Sequence, residues 1–372
     1  MQFIDEFRNP TQVKSLLSQI HAWVKKTSFT AEKPLQIMEV CGGHTHAIFK
    51  FGLERLLPPE IEFIHGPGCP VCVLPMGRID ACIEIAKRPE VIFCTFGDAI
   101  RVPGRQGSLL KARQEGAAVR LIYSPMDALT IAEQNPDKKI VLFGLGFETT
   151  MPSVAITLQQ AKQRKITNFF VFCQHITIIP TLKSLLMTPD IQIDAFLGPG
   201  HLSMIIGTHP YSFICEQYHK PVVVSGFEPT DILQSIVMVL KQFANKQCLV
   251  ENQYRRVVPD EGNPRALAVI NDVFIMQGDD EWRGLGIIPD SGVRLNETYA
   301  AFDAEKHFQP KQQRVADDPQ SRCGDVLTGR CKPLECHLFG KQCTPESAYG
   351  ALMVSSEGAC AAYYQYRQGE PA

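Results

Sequence analysis

The chain of 372 residues lacks a long apolar run, an excess of charge of one sign, and an intact nucleotide-binding fingerprint. Each absence removes a class of function. A membrane-spanning helix needs about 20 consecutive apolar residues, and no stretch reaches that length, so no membrane partner is expected. The formal charge is −2 with a pI near 6.6, and no Lys/Arg run with interleaved aromatics is present. Nucleic acid is therefore not expected as a partner. Gly144 and Gly146 do not complete G-x-G-x-x-G, and there is no Walker A sequence. The N-terminal stretch carries charges throughout, with an amphipathic period (Phe3, Phe7, Val13, Leu16, Leu17, Ile20, Trp23, Val24). It shows neither the apolar core nor the cleavage site of a secretory leader, so the expected location is cytoplasmic.

What the chain does have is cysteine: 13 in all, five of them (Cys323, Cys331, Cys336, Cys343, Cys360) within the last fifty residues. In a reducing compartment structural disulfides are disfavoured, so clustered thiols point to metal ligation or redox chemistry. The spacing C-x7-C-x4-C-x6-C-x16-C fits no zinc-finger pattern and lacks the CxxCxxC run of bacterial ferredoxins. Four thiolates on irregular loops can still hold a [4Fe–4S] cluster, and zinc remains the rival. Five cysteines for four positions leave one over, with Cys331 the candidate.

Short β-rich apolar runs at 35–40, 61–64, 91–96 and 119–123 alternate with helical patterns, and a second series follows at 139–145, 168–173, 194–197 and 221–224. This alternation predicts parallel βαβ units. The expected organisation is an N-terminal helix (1–34), an α/β domain (35–136), a second α/β domain of similar plan facing it across a cleft (137–241), and a mainly helical and irregular C-terminal iron–sulfur domain (242–372). The last region lacks a large core of its own, so a cluster would add cohesion.

Polar, Gly-rich motifs fall after the predicted strands, at the sheet edge where ligands bind in open parallel sheets. C-G-G-H-T-H sets Cys41 and His44 three residues apart on an open loop, a soft-metal donor pair or a capped turn; His46 is the weaker donor. G-P-G-C-P-V-C sets Cys69 and Cys72 at the expected start of a helix running through 79–86. There amide N–H groups would favour a thiolate, which suits a redox dithiol, half of a zinc site, or a structural turn. Cys82, Cys94, Cys173, Cys215 and Cys248 read as buried small hydrophobes without nearby partners. Glu148, Asp98 and Glu357 lie in Gly- or Ser-flanked loops, where a carboxylate relays protons or simply caps a turn.

Together CGGHTHAI (41–48), HGPGCPVC (65–72), GFETT (146–150), GPGH (198–201), EWRGLG (281–286), CHLFGKQCTPE (336–346) and MVSSEGACAAYY (353–364) resemble the HypD family of hydrogenase maturation factors, essentially end to end. The resemblance implies a scaffold for assembling the Fe(CN)2CO unit of [NiFe] hydrogenase, working with a HypC-type chaperone and receiving cyanide from a HypE-type partner. It implies iron at Cys41 with His44 in support, a redox dithiol at Cys69 and Cys72, and a [4Fe–4S] cluster on Cys323, Cys336, Cys343 and Cys360. Glu357 is the candidate proton partner. One departure stands out: the family commonly has Cys just before MVSSEGAC, where this chain has Leu352, so Cys331 is a possible replacement ligand. Two other readings remain: a stand-alone thiol oxidoreductase, and a zinc-stabilised binding module.

Overall fold

The computed structural model describes residues 5–189, 191–276, 278–311 and 314–366. Phe3 of the amphipathic stretch lies outside the described residues. Nine strands build two parallel sheets: β1 (Leu35–Glu39), β2 (Ile61–His65), β3 (Val91–Thr95), β4 (Val119–Leu121), β5 (Lys139–Gly146), β6 (Phe169–His175), β7 (Ala195–Pro199), β8 (Val222–Ser225) and β9 (Val250–Asn252). The first sheet runs β2-β1-β7-β8-β9 and the second β4-β3-β5-β6, with Ile37 of β1 opposite both Phe63 and Ala195.

The grouping of strands departs from the expected split after residue 136. β1 and β2 do not join β3 and β4; β1 takes β7 as its second neighbour, and β3–β6, which lie between them in sequence, form a separate sheet. The reason is physical: a parallel neighbour needs a crossover but not sequence adjacency, and apolar runs alone carry no pairing information.

Alternation along the strands builds a core on each face. Leu35, Ile37, Ala195, Leu197 and Val223 pack on Ile20, Val24, Ile232 and Ile236 from the helices Pro10–Val24 and Pro229–Ala244. Met38, Val40, Phe196, Val222 and Val224 point the other way. Fully burying each such side chain contributes roughly 1.5–3 kcal/mol. The first of these helices starts sharply because Asn9 Oδ1 accepts from Thr11 N at 2.9 Å and Pro10 opens the first turn.

The C-terminal region is made of short helices and turns, with Val326, Leu327, Leu338, Leu352 and Met353 joining the core on the Met38 face of the first sheet. Buried Arg283 ties it down: its backbone N–H donates to Val73 O at 2.7 Å, and its guanidinium holds Asp317 (2.8 Å) and Pro103 O (2.8 Å). The helix Pro264–Val273 runs directly into a strand, Phe274–Met276, paired with Val293–Leu295. No helix among the described residues is long and apolar enough to cross a membrane.

Candidate functional site

At the end of β1 the chain extends through Cys41 and turns into the helix Gly42–Lys50. Glu39, fully buried, organises this corner: its carboxylate accepts from Cys41 N–H (3.0 Å), from the Thr45 hydroxyl, and from His65 Nδ1 (2.8 Å). His65 Nε2 lies 3.5 Å from Glu54 Oε1, an ion-pair distance. Burial pulls the imidazole down, but Glu39 and Glu54 outweigh it and lift its pKa to about 9. One carboxylate thus joins the CGGHTH and HGPGC segments.

Those segments touch directly. Gly42 N–H donates to Gly68 O at 3.2 Å, and a Cβ on Gly68 would land on the Cys41 backbone, so only glycine fits there. Just beyond, Cys69 and Cys72 are joined by a disulfide, with Cα atoms 5.3 Å apart and both sulfurs buried. They sit in a turn ahead of the helix Met76–Ala86, not in its first turn, because Pro75 supplies the cap. The expected thiolate-favouring helix start is therefore absent at this pair.

His44 is wholly buried. Its Nε2 lies 3.1 Å from both Ser225 O and Gly226 O, and since carbonyls only accept, Nε2 carries the hydrogen. Nδ1 is left with its lone pair and no hydrogen-bond partner among the described residues. The ring stacks on Phe227 (4.6 Å), which stacks in turn on His201 (3.9 Å), and Gly43 leaves the room that Phe227 occupies. Burial lowers the His44 pKa and keeps the ring neutral. Behind this loop, buried Asp231 accepts from both Arg256 terminal nitrogens (2.8 and 2.6 Å) and from Gln253, while Arg8 grips Glu228 (2.8 Å).

The SSEG loop closes the other side. Glu357 lies against Gly42, Gly358 against Cys72 Sγ, and Ser355 Oγ donates to Asp98 at 2.7 Å. Burial, and then Glu357 and Glu39, push the Cys41 thiol up to about 12, so without a cation it stays protonated. The Glu357 carboxyl is itself raised by burial, Asp98 and Glu39.

Two residues after Gly358, Cys360 enters a small cavity of about 20 Å³ that Cys323, Cys336 and Cys343 also line, with Val326, Leu338, Phe339 and Met353 around them. Cys331 does not line it; it faces a second cavity with His65, Glu54 and Lys332. Among the described residues no three His, Cys, Asp or Glu side chains are gathered closely enough to hold a metal ion, so the four thiols share a cavity without forming a closed cage.

The family description "HypD: Hydrogenase formation hypA family" matches residues 11–367. The chain is 65% identical over 370 residues to "Hydrogenase maturation factor HypD" of Escherichia coli (strain K12), covering 100% of this chain and 99% of that protein. The chain belongs to the HypD family. It is also 56% identical to the HypD of Rhodobacter capsulatus, with 98% of each chain covered, and 43% identical to that of Cupriavidus necator, over 98% and 97%. As a HypD protein it is a hydrogenase maturation factor.

Within this HypD chain the anticipated residues fall into two places. Cys41, His44, Cys69, Cys72 and Glu357 meet at one corner; Cys323, Cys336, Cys343 and Cys360 meet at the cavity next to it. His46 contacts the SSEG loop instead, its Nδ1 3.3 Å from Ser356 O. Glu148 caps the helix Ile178–Met187 by accepting from Ile178 N–H at 3.3 Å, and burial raises its pKa to about 7. Sequence reasoning missed Glu39, which sits in an alternating apolar strand and gives no signal. It also missed Phe227 and the Ser225 and Gly226 carbonyls, which follow the apolar run at 221–224.

Proposed function

We propose that the chain is a scaffold and redox protein on which the Fe(CN)2CO centre of [NiFe] hydrogenase is assembled. The observation that carries this reading is the pairing, within one helical turn, of Cys41 with a buried His44 whose Nδ1 lone pair is unused. A ferrous ion arriving there meets a soft sulfur and a neutral imidazole, and the two carbonyls on Nε2–H fix the ring and strengthen its donor nitrogen. The positive charge of the iron removes the reason for Cys41 to keep its proton, and Glu357, beside Gly42, is the near carboxylate to receive it. The same corner is where a HypC-type chaperone shares the iron and a HypE-type partner delivers cyanide.

Beside it, reduction of the Cys69–Cys72 disulfide takes two electrons and two protons and gives two thiols, a reversible two-electron store next to the cargo. The cavity chemistry suits a [4Fe–4S] cluster: four thiols, an apolar lining, and burial together with mutual repulsion that raises the Cys360 pKa and that cationic iron would relieve. Cys323, Cys336, Cys343 and Cys360 would hold it, with Cys331 left outside. When bound, such a cluster supplies one-electron transfer.

Anaerobic purification followed by iron, zinc and sulfide analysis tests the resident group: about four iron and four sulfide per chain are expected, and zinc without sulfide refutes it. Infrared spectra of the complex with a HypC-type chaperone test the cargo. Cyanide and CO bands are expected in the parent and lost in Cys41→Ser; bands that survive the substitution rule out Cys41 as the anchor.

A further inference from the structure

Away from that corner, two cysteines that sequence reasoning left without partners lie together at the outer edge of the first sheet. Cys215 is in the helix Ser212–Tyr218, and Cys248 is in the turn leading from Pro229–Ala244 into the edge strand β9. Cys248 Sγ donates to Cys215 O at 3.8 Å, and Cys215 Sγ donates to Lys220 O at 3.3 Å. Cys215 is 8% exposed and Cys248 is half-buried, with Leu249 beside it half-exposed, so solvent reaches the pair from the Cys248 side.

The pair is asymmetric. Burial raises both thiols; at Cys215 the neighbouring Cys248 charge adds to the rise, which reaches about 12, whereas at Cys248 the charge of Lys220 favours the thiolate and offsets part of it. The more accessible sulfur is thus the better nucleophile, and the more buried one is placed to resolve.

We propose that Cys215 and Cys248 form a second dithiol site, separate from Cys69–Cys72, that takes low-molecular-weight disulfides of the glutathione type. The Cys248 thiolate attacks one sulfur of R–S–S–R; that S–S bond breaks, and the first thiolate leaves and takes a proton. Cys215 then gives up its proton and attacks the Cys248 sulfur, and the second R–S⁻ departs as a thiol. Two protein thiols are oxidised and one external disulfide is reduced, with two electrons transferred. The new bond ties residues 33 apart and clasps β9 to the helix that precedes β8. β8 ends at Ser225, whose carbonyl holds His44.

The test uses the full chain, reduced without oxygen and incubated with graded ratios of oxidised to reduced glutathione. It is then alkylated, digested without reductant and read by mass spectrometry. A Cys215–Cys248 cross-linked peptide is expected to rise with the ratio and to be lost in either single Ser variant, with Cys215→Ser trapping a mixed disulfide at Cys248. A parent chain in which Cys248 stops at the mixed disulfide overturns the proposal. So does a parent chain whose Cys248 stays fully alkylated in every mixture, and this readout does not depend on the variants folding. Hydrogen exchange at the β9 amides is expected to slow in the cross-linked form; unchanged exchange refutes the clasp.

Discussion

Glu39 and His65 are a buried pair whose charge state sets the stability of the corner around Cys41. The His65 pKa stands at about 9, above the ordinary 6.5, so its contribution is complete below pH 6.5 and disappears as pH rises through 9. The span corresponds to stability on the order of 3 kcal/mol. Urea unfolding of the parent chain is therefore expected to weaken between pH 6.5 and 9.5, with His65→Gln flattening that slope. Equal slopes in the two proteins would show that His65 is not charged in the fold. Cys41, His44 and the CPVC pair were legible in the sequence because their residue types are chemically loud. Glu39 was not, since a single carboxylate in the run LQIME looks like an outward strand position until its three donors are seen.

One loop, from Ser225 into the helix Pro229–Ala244, decides how His44 is held. Its carbonyls take the Nε2 hydrogen, Phe227 supports the ring face, and Asp231 anchors the turn through Arg256. Arg256 is about one-third exposed while Asp231 is fully buried, so removing the arginine strands a buried charge rather than a surface one. Arg256→Met is expected to destabilise the chain by roughly 2–4 kcal/mol in urea titration, and adding Asp231→Asn to recover part of that loss. If the two substitutions simply add, the ion pair does not act as a unit. Strand positions followed from apolar runs, but the start of the helix after Cys72 was placed too early, because Pro75 and not the CPVC turn sets it.

The first sheet and the C-terminal region share one core, which runs from Met38 and Phe196 to Leu352 and Met353. A chain ending at residue 313 is expected to lose cooperative unfolding and near-ultraviolet circular dichroism, because the Met38 face of the first sheet would be left bare. A truncated protein that melts sharply would show instead that the C-terminal region is an independent unit. The α/β class could be read from strand–helix alternation, whereas strand order could not, because β1 finds its neighbour β7 about 160 residues later through packing that no local pattern encodes.

That distant pairing has a consequence for synthesis. Cys41 and Cys69 leave the ribosome early, the Ser225 carbonyl that fixes His44 much later, and Gly358, which covers Cys72, nearly last. At about 5–20 residues per second, roughly 15–60 s separate the appearance of the thiols from that of their cover. Through that interval the nascent chain carries naked sulfurs, and only a finished chain can shelter whatever is placed on them.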